Sequence, residues 1–281
     1  MESRLGIRWV AKIGLILGIG LSLLPVAYVV MHSLKGEQLI AQLYTAYDVS
    51  IWEKTFIKPF YINLDQYYHI LFQTPEFLYL FWNALMIVAP IVVLQTIIGL
   101  FAAYGLSKLK FKGSEVLFFS YIVIMLMPFQ VTVVPNYMML DKLGLLDRYG
   151  ALILPGIFGT FGVFFLKQFM EGIDEAFIEE ARLLGAGDLQ ILRYVVVPMC
   201  KPIIVTVALL LFVDYWNMVE QPLIFLTSKD KYPLSVYLAS IAQNNISIGF
   251  ACSVLYMILP VLLAFYAQHD LTEGFKITNL K

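Results

Sequence analysis

The chain has 281 residues, of which 60% are hydrophobic and 14% charged, with a formal net charge of −1. Soluble domains carry about 25% charged residues, so there is too little polar surface here for a water-soluble protein, and no basic excess for nucleic acid. An integral membrane protein is expected, all-α rather than a β-barrel, because the apolar runs are long instead of short and alternating.

Crossing a hydrocarbon core about 30 Å thick takes about 20 helical residues. Six runs qualify, at 9 to 31, 81 to 106, 116 to 137, 151 to 170, 196 to 217 and 249 to 268, within one transmembrane domain over 1 to 281. Six spans put both termini on one side. Short cytoplasmic loops retain Lys and Arg; with the N-terminus inside, 12 of the 19 basic residues fall inside and 7 outside. Both termini and residues 171 to 195 are therefore expected in the cytoplasm. The first span, behind Arg4 and Arg8, exceeds a signal-peptide core and is followed by no small-x-small site before Leu39, so it is expected to be retained.

Residues 32 to 80 form the longest outside segment, rich in aromatics (Tyr44, Tyr47, Trp52, Phe56, Phe60, Tyr61) and so expected to be ordered. In span three, Pro128 and Pro135 stand seven apart on one face, where each removes a backbone bond and invites a kink that could serve gating. Gly156, Gly159 and Gly162 give span four a flat ridge for close helix packing. Cys200 and Cys252 are expected near opposite membrane faces, too far apart to bridge.

Two absences narrow the chemistry. The sequence lacks G-x-x-x-x-G-K-[ST], so it has no usual cradle for ATP phosphates, and His32, His69 and His269 have no metal-ligand spacing. Lys12, Lys167, Lys201 and Asp214 all fall near span ends, so no proton or ion relay is suggested. A secondary carrier would also show repeated halves with broken helices and a coupling-ion site at mid-membrane, and neither is apparent in the sequence.

Between spans four and five, Asp174 can cap a helix with Glu175 in its first turn. Gly185 and Gly187 stop that helix, and Asp188 can cap a second from Leu189 to about Tyr194. In this helix-turn-helix, Glu179, Glu180 and Ala181 precede Gly185 by the E-A-A-x-x-x-G spacing, and nine residues later Val195, Val197 and Pro198 fill an apolar-x-apolar-Pro run. This pattern resembles the EAA loop of ABC importer permeases. "FWNALMIVAP", "AAYGLSKLKFKG", "MPFQVTVVPNYMMLDKLGLLDRYGALILP" and "YWNMVEQPLIFL" resemble the carbohydrate-uptake, maltose-permease-like branch of that MetI-like family. Glu180 and Leu184 depart from its usual Ala and Asp.

The resemblance implies the six-span core of a type I ABC importer and a translocation subunit that is not itself an enzyme. It implies a second, unlike permease chain, two ATPase subunits that bind ATP and Mg, and an extracellular sugar-binding protein. The loop would dock in a groove of the ATPase: Glu179 pairs with a basic group, Ala181 keeps a close-packed face, Gly185 and Gly187 allow the turn, and Leu183, Leu184 and Leu189 fill the groove, with Glu180 and Pro198 completing the motif. A sugar path needs aromatic faces with amides or carboxylates. The end of span five offers Asp214, Tyr215, Trp216, Asn217, Glu220 and Gln221, of which Trp216 and Asn217 match the family while Met218 replaces its acidic residue. A permease for glycerol phosphate or another polar solute, and a secondary carrier, are the alternatives.

Overall fold

The computed structural model describes residues 2–45, 62–109 and 111–278, all of it helices and connections with no strand among them. Tyr47, Trp52, Phe56, Phe60 and Tyr61 lie outside the described residues.

Four segments are long and apolar enough to cross a membrane without a bend above 40°: Lys12–Ser33, Glu76–Lys108, Gly150–Glu171 and Ile246–Thr272. The other two expected spans are bent. In place of one helix over 116 to 137, Ser114–Met125 and Phe129–Lys142 meet at 99°. Pro128 is the reason: it sits in the N-cap of the second helix with an extended ψ of 144°, and proline disfavours helical geometry in the residue before it. Pro135 lies inside Phe129–Lys142 without breaking it, so the two prolines do not share one face of a continuous span.

The fifth span bends by 79° between Asp188–Met199 and Lys201–Trp216. The second helix of the loop thus runs on past Tyr194 to Met199, and residues 196 to 199 belong to it rather than to the span. A π-helical turn at Leu192–Val196 precedes Pro198, a widening that relieves the clash between a proline ring and the carbonyl four residues back. Pro202 repeats the defect one turn on, and the chain turns at Cys200 between them.

The chain divides into two compact units, Met1–Tyr79 with Tyr237–Ile258, and Leu80–Val236 with Leu259–Lys281. In the first, α1 (Glu2–Ser33) and α2 (Glu37–Thr45) meet around His32, whose ring lies 4.0 Å from that of Tyr28 and 5.1 Å from that of Phe250. The His32 Nδ1 faces the Tyr28 carbonyl at 2.9 Å, which can only accept, so the proton sits on Nδ1. Nε2 is then the acceptor for Lys35 Nζ at 3.2 Å. Burial pushes the Lys35 ammonium below its ordinary value. Gln66, also buried, donates to the Lys35 carbonyl and to Ser247 Oγ.

The second unit is built on α3 (Glu76–Lys108). Span four, formed by α4 (Gly150–Ile157) and α5 (Thr160–Glu171), lays the expected glycine ridge along it. A Cβ on Gly156 would stand 2.9 Å from Ile91 Cγ2, and one on Gly159 2.4 Å from Gln95 Nε2. Ile91, Gln95 and Gly99 are four apart on α3, so one helical row meets the other. In lipid, where apolar burial drives little association, such close backbone approach is what joins helices. Lys167, one turn from the end of span four, is paired with Glu171 at 2.6 Å and lies over the Phe118 ring.

At the Asn83 end of α3 the polar groups close on one another. Asn83 donates to the carbonyls of Asp230 and Tyr232 and accepts from Tyr149 Oη. Asp147, at a positive φ of 56°, accepts from the backbone of Thr227 and Ser228, from Ser228 Oγ and from Lys231 Nζ at 2.7 Å.

Candidate functional site: the helix-turn-helix at 171–199

At the Lys108 end of α3, α6 (Glu175–Leu183) and α7 (Asp188–Ile191) with its continuation to Met199 form the loop anticipated from the sequence. Asp174 caps α6 by accepting from Ala176 N at 3.0 Å, and Glu175 lies in the first turn, where a carboxylate suits the helix dipole. The far end closes as a Schellman motif. The Ala186 amide donates to Ala181 O and the Gly185 amide to Arg182 O, with Gly185 at φ +86° as the left-handed residue the motif requires. Ala181 and Ala186 pack against the same apolar cluster, the contact that accompanies such an end.

The cap of the second helix differs from the expectation. Gly187, not Asp188, holds the N-cap position, and the Gln190 side chain accepts from its amide at 2.9 Å. Asp188 is drawn elsewhere: its Oδ1 accepts from Arg182 Nη2 at 3.2 Å and from Tyr104 Oη at 3.4 Å. An ion pair across the turn and a hydroxyl from α3 outweigh a local cap that glutamine can supply.

One side of the loop is anchored and the other is bare. Ile178, Ile191, Leu192 and Val196 are buried with Met170, Ile173 and Tyr104 in one cluster. Leu183 and Leu184 are 89% and 84% exposed, and Leu189 and Tyr194 are about two-thirds exposed. Beside them a hollow of about 340 Å³ is lined by Leu184, Gly185, Ala186, Gln190, Tyr194 and their neighbours. A Cβ on Gly185 would meet nothing within 4 Å; within this chain only its φ demands glycine. Glu179 and Glu180 are exposed. Pro198 is exposed on the continuation of α7.

The residues read as a solute path divide. Asp214, Tyr215, Asn217, Glu220 and Gln221 line a hollow of about 510 Å³ at the end of α8 (Lys201–Trp216). Trp216 does not belong to it. Its indole is fully buried, packed on Phe81 at 5.7 Å and Phe212 at 5.2 Å, so it is a core side chain of this unit. Helical rotation explains the split, since Trp216 follows Phe212 by four residues on the inward face. Tyr215 Oη donates to Gly156 O at 3.2 Å, and Glu220 accepts from Gln130 at 3.4 Å.

Two residues escaped the sequence reading. Tyr104 and Lys108, within the quoted "AAYGLSKLKFKG", are both buried on the end of α3, and Lys108 Nζ donates to Ile173 O at 2.7 Å. In the sequence Lys108 counted only as a charge fixing orientation; its i, i+4 relation to a tyrosine was the available signal.

The fold accords with the comparison to known proteins. The profile of the binding-protein-dependent transport system inner membrane component family matches residues 95–272, more than half of the chain. The chain belongs to this family. It is 31% identical over 207 residues to the polygalacturonan/rhamnogalacturonan transport system permease protein YtcP of Bacillus subtilis, covering 72% of this chain and 70% of that one. It is 27% identical to the arabinooligosaccharides transport system permease protein AraQ of the same species, over 93% and 91% of the two chains. Among solved structures it is similar to a chain of a bacterial ABC transporter involved in import of the acidic polysaccharide alginate. The TM-score is 0.74 at 25% identity, over 94% of this chain and 96% of the other. The protein is thus the membrane-spanning permease of a binding-protein-dependent ABC importer, a translocation subunit rather than an enzyme.

Proposed function

We propose that this permease translocates a carbohydrate, an oligosaccharide or related sugar handed over by an extracellular solute-binding protein, and that a separate ATPase drives it through the loop at 171–195. The observation that carries the reading is the pair of leucines on a rigid turn: Leu183 and Leu184 stand almost free of contact beside a Schellman-closed Gly185. Burying an exposed leucine is worth about 1.5–3 kcal/mol, so this face invites a groove on a partner, with Leu189 and Tyr194 widening it. Glu179, exposed on α6, would meet a basic group there. The sugar class rests on relatives whose names specify arabinooligosaccharides and polygalacturonan. The hollow of Asp214, Tyr215, Asn217, Glu220 and Gln221 offers the carboxylates, amides and ring that hydroxyls need, and the bend at Pro128 is the hinge candidate.

In this reading the whole chain acts as one permease domain beside a second, unlike permease. Both termini and the loop face the cytoplasm, and ATP and Mg sit on two ATPase subunits. Cysteine accessibility tests the orientation. With Cys200 and Cys252 replaced, Gln190→Cys should be shielded from an impermeant thiol reagent outside intact cells, while Gln73→Cys, exposed on the segment before α3, should react. Labelling at 190 from outside would invert the topology and remove the loop from any cytoplasmic ATPase.

A further inference from the structure

The helix-turn-helix is fastened to α3 at two points. Tyr104 and Lys108 share one face of α3, a turn apart. The Tyr104 hydroxyl reaches Asp188, the first residue of α7, and the same carboxylate oxygen takes Arg182 from the last turn of α6. Lys108 reaches the Ile173 carbonyl, in the link that leads into α6. The two side chains therefore hold the loop on both sides of its turn. Beside Lys108 a hollow of about 280 Å³ is lined by Glu175, Ile178, Glu179 and Arg182.

The apolar cluster beneath could not do this alone. Hydrophobic contact is non-directional, so Ile178 and Ile191 packed on Ala103 and Tyr104 resist separation better than sliding. Hydrogen bonds are directional, weakening steeply with angle, and a bond to a buried carbonyl is costly to leave unmade. The half-exposed Arg182–Asp188 pair contributes little by itself; its role is to hold the carboxylate where Tyr104 meets it.

We propose that Tyr104 and Lys108 are positioning residues of the transport cycle, locking the register between the loop and α3 so that displacement of the loop carries α3 with it as one body. The inference rests on the reading that an ATPase docks on this loop.

Spin labels at Phe101→Cys on α3 and Phe177→Cys on α6, both exposed, report the register in the purified complex with its ATPase subunits, nucleotide-free and with ATP trapped by vanadate. In the otherwise unaltered, cysteine-replaced chain the distance should hold between the two states. In Lys108→Met it should hold without nucleotide and shift or broaden by about 2 Å or more on trapping, the scale of known helix shifts. Lys108→Arg should restore it. Tyr104→Phe, which removes one oxygen from a ring that keeps its packing, should give a smaller shift of the same sign, and it carries the test should Lys108→Met fail to accumulate. A purely structural role would broaden the distance equally in both states and so overturn the proposal, as would unchanged distances in both variants. Failure of the ATPase to co-purify with the unaltered chain would instead remove the docking reading itself.

Discussion

The two ends of α3 handle polarity in opposite ways. At the Asn83 end, the Asn83 amide, the Asp147 carboxylate, Ser228 and Lys231 spend their hydrogen bonds on one another and on nearby backbone. At the Lys108 end the polar bonds of Lys108 and Tyr104 fasten the loop, and its outward side carries the bare Leu183, Leu184, Leu189 and Tyr194 beside the exposed Glu179 and Glu180. A surface whose polar groups are closed inward is set in shape without a partner. One that presents rigid, unburied leucines keeps apolar area that, in the proposed reading, a partner covers. Both lie on one helix, and the glycine seam along span four holds that helix in place between them.

The comparison breaks most visibly at Gly185. Gly185→Asp should abolish binding-protein-dependent uptake while the permease still reaches normal membrane levels, since no span is touched. Because a Cβ at 185 meets nothing in this chain, the variant's damage inside the permease is confined to the left-handed φ, about 1–2 kcal/mol for an ordinary residue and less for Asp or Asn. The greater part must come from a charge pressed into a partner's groove, where desolvation costs several kcal/mol. Gly185→Asn shares the backbone demand but not the charge, so it should retain far more uptake and co-purified ATPase. Glu179→Ala should be milder than Gly185→Asp: truncating a buried charge pair costs roughly 2–5 kcal/mol, but the apolar contact persists. Equal uptake and equal recovery of the ATPase from Gly185→Asp and the unaltered protein would make the bare leucines an ordinary connector.

That end was also the more legible one. Asp174 as a cap and Gly185 as the stop follow from local rules, and the structure has both in place; the leucines were singled out only through the family resemblance, and the structure leaves them exposed. Apolar length gave the long helices but hid the two bends, because hydropathy does not change where Pro128 or the Pro198 and Pro202 pair turns the chain. Trp216 was read into the solute path because an aromatic among amides and carboxylates suits one; only its neighbours Phe81 and Phe212, distant in sequence or on the inward face, show it buried in the core of this unit. The knot at Asp147 was illegible for a different reason. Its partners lie about eighty residues on, and no local spacing announces a contact made by tertiary folding.

The seam between the ends gives an intermediate effect. Gln95 is 2% exposed, so its amide must be displaced within the core by Gly159→Ala, whose Cβ would stand 2.4 Å from Gln95 Nε2; the variant should cost about 1–3 kcal/mol, as overpacking does. Gly162→Ala meets Val207 Cγ1 only at 3.6 Å, an ordinary contact, and should be neutral or stabilising by up to about 1 kcal/mol, since Ala is the better helix former. Thermal unfolding of the purified chain in detergent separates them, and equal stability of the two variants would show that the seam is looser than its glycines imply.

The smallest effect is expected at the closed end. Lys231 and Ser228 beside Asp147 hold its carboxyl well below the usual carboxylate range. A group whose folded pKa is depressed adds stability that is fully present above its unfolded value, about 3.9 for Asp, and is lost as pH falls through the folded one. Asp147→Asn keeps a side chain that tolerates positive φ and can still accept from the Thr227 and Ser228 amides, but it removes the charge facing Lys231. The variant should therefore unfold at a slightly lower temperature than the unaltered protein at pH 7. The gap should narrow as the pH drops below about 4, where Asp147 of the unfolded chain begins to take up a proton that the folded carboxylate still refuses. Because the pair is a third exposed or nearly so, salt should narrow it too. A gap that stays constant from pH 7 to pH 3 would place the effect in the shape of the turn, and the charge at this end would then have no part in fixing it.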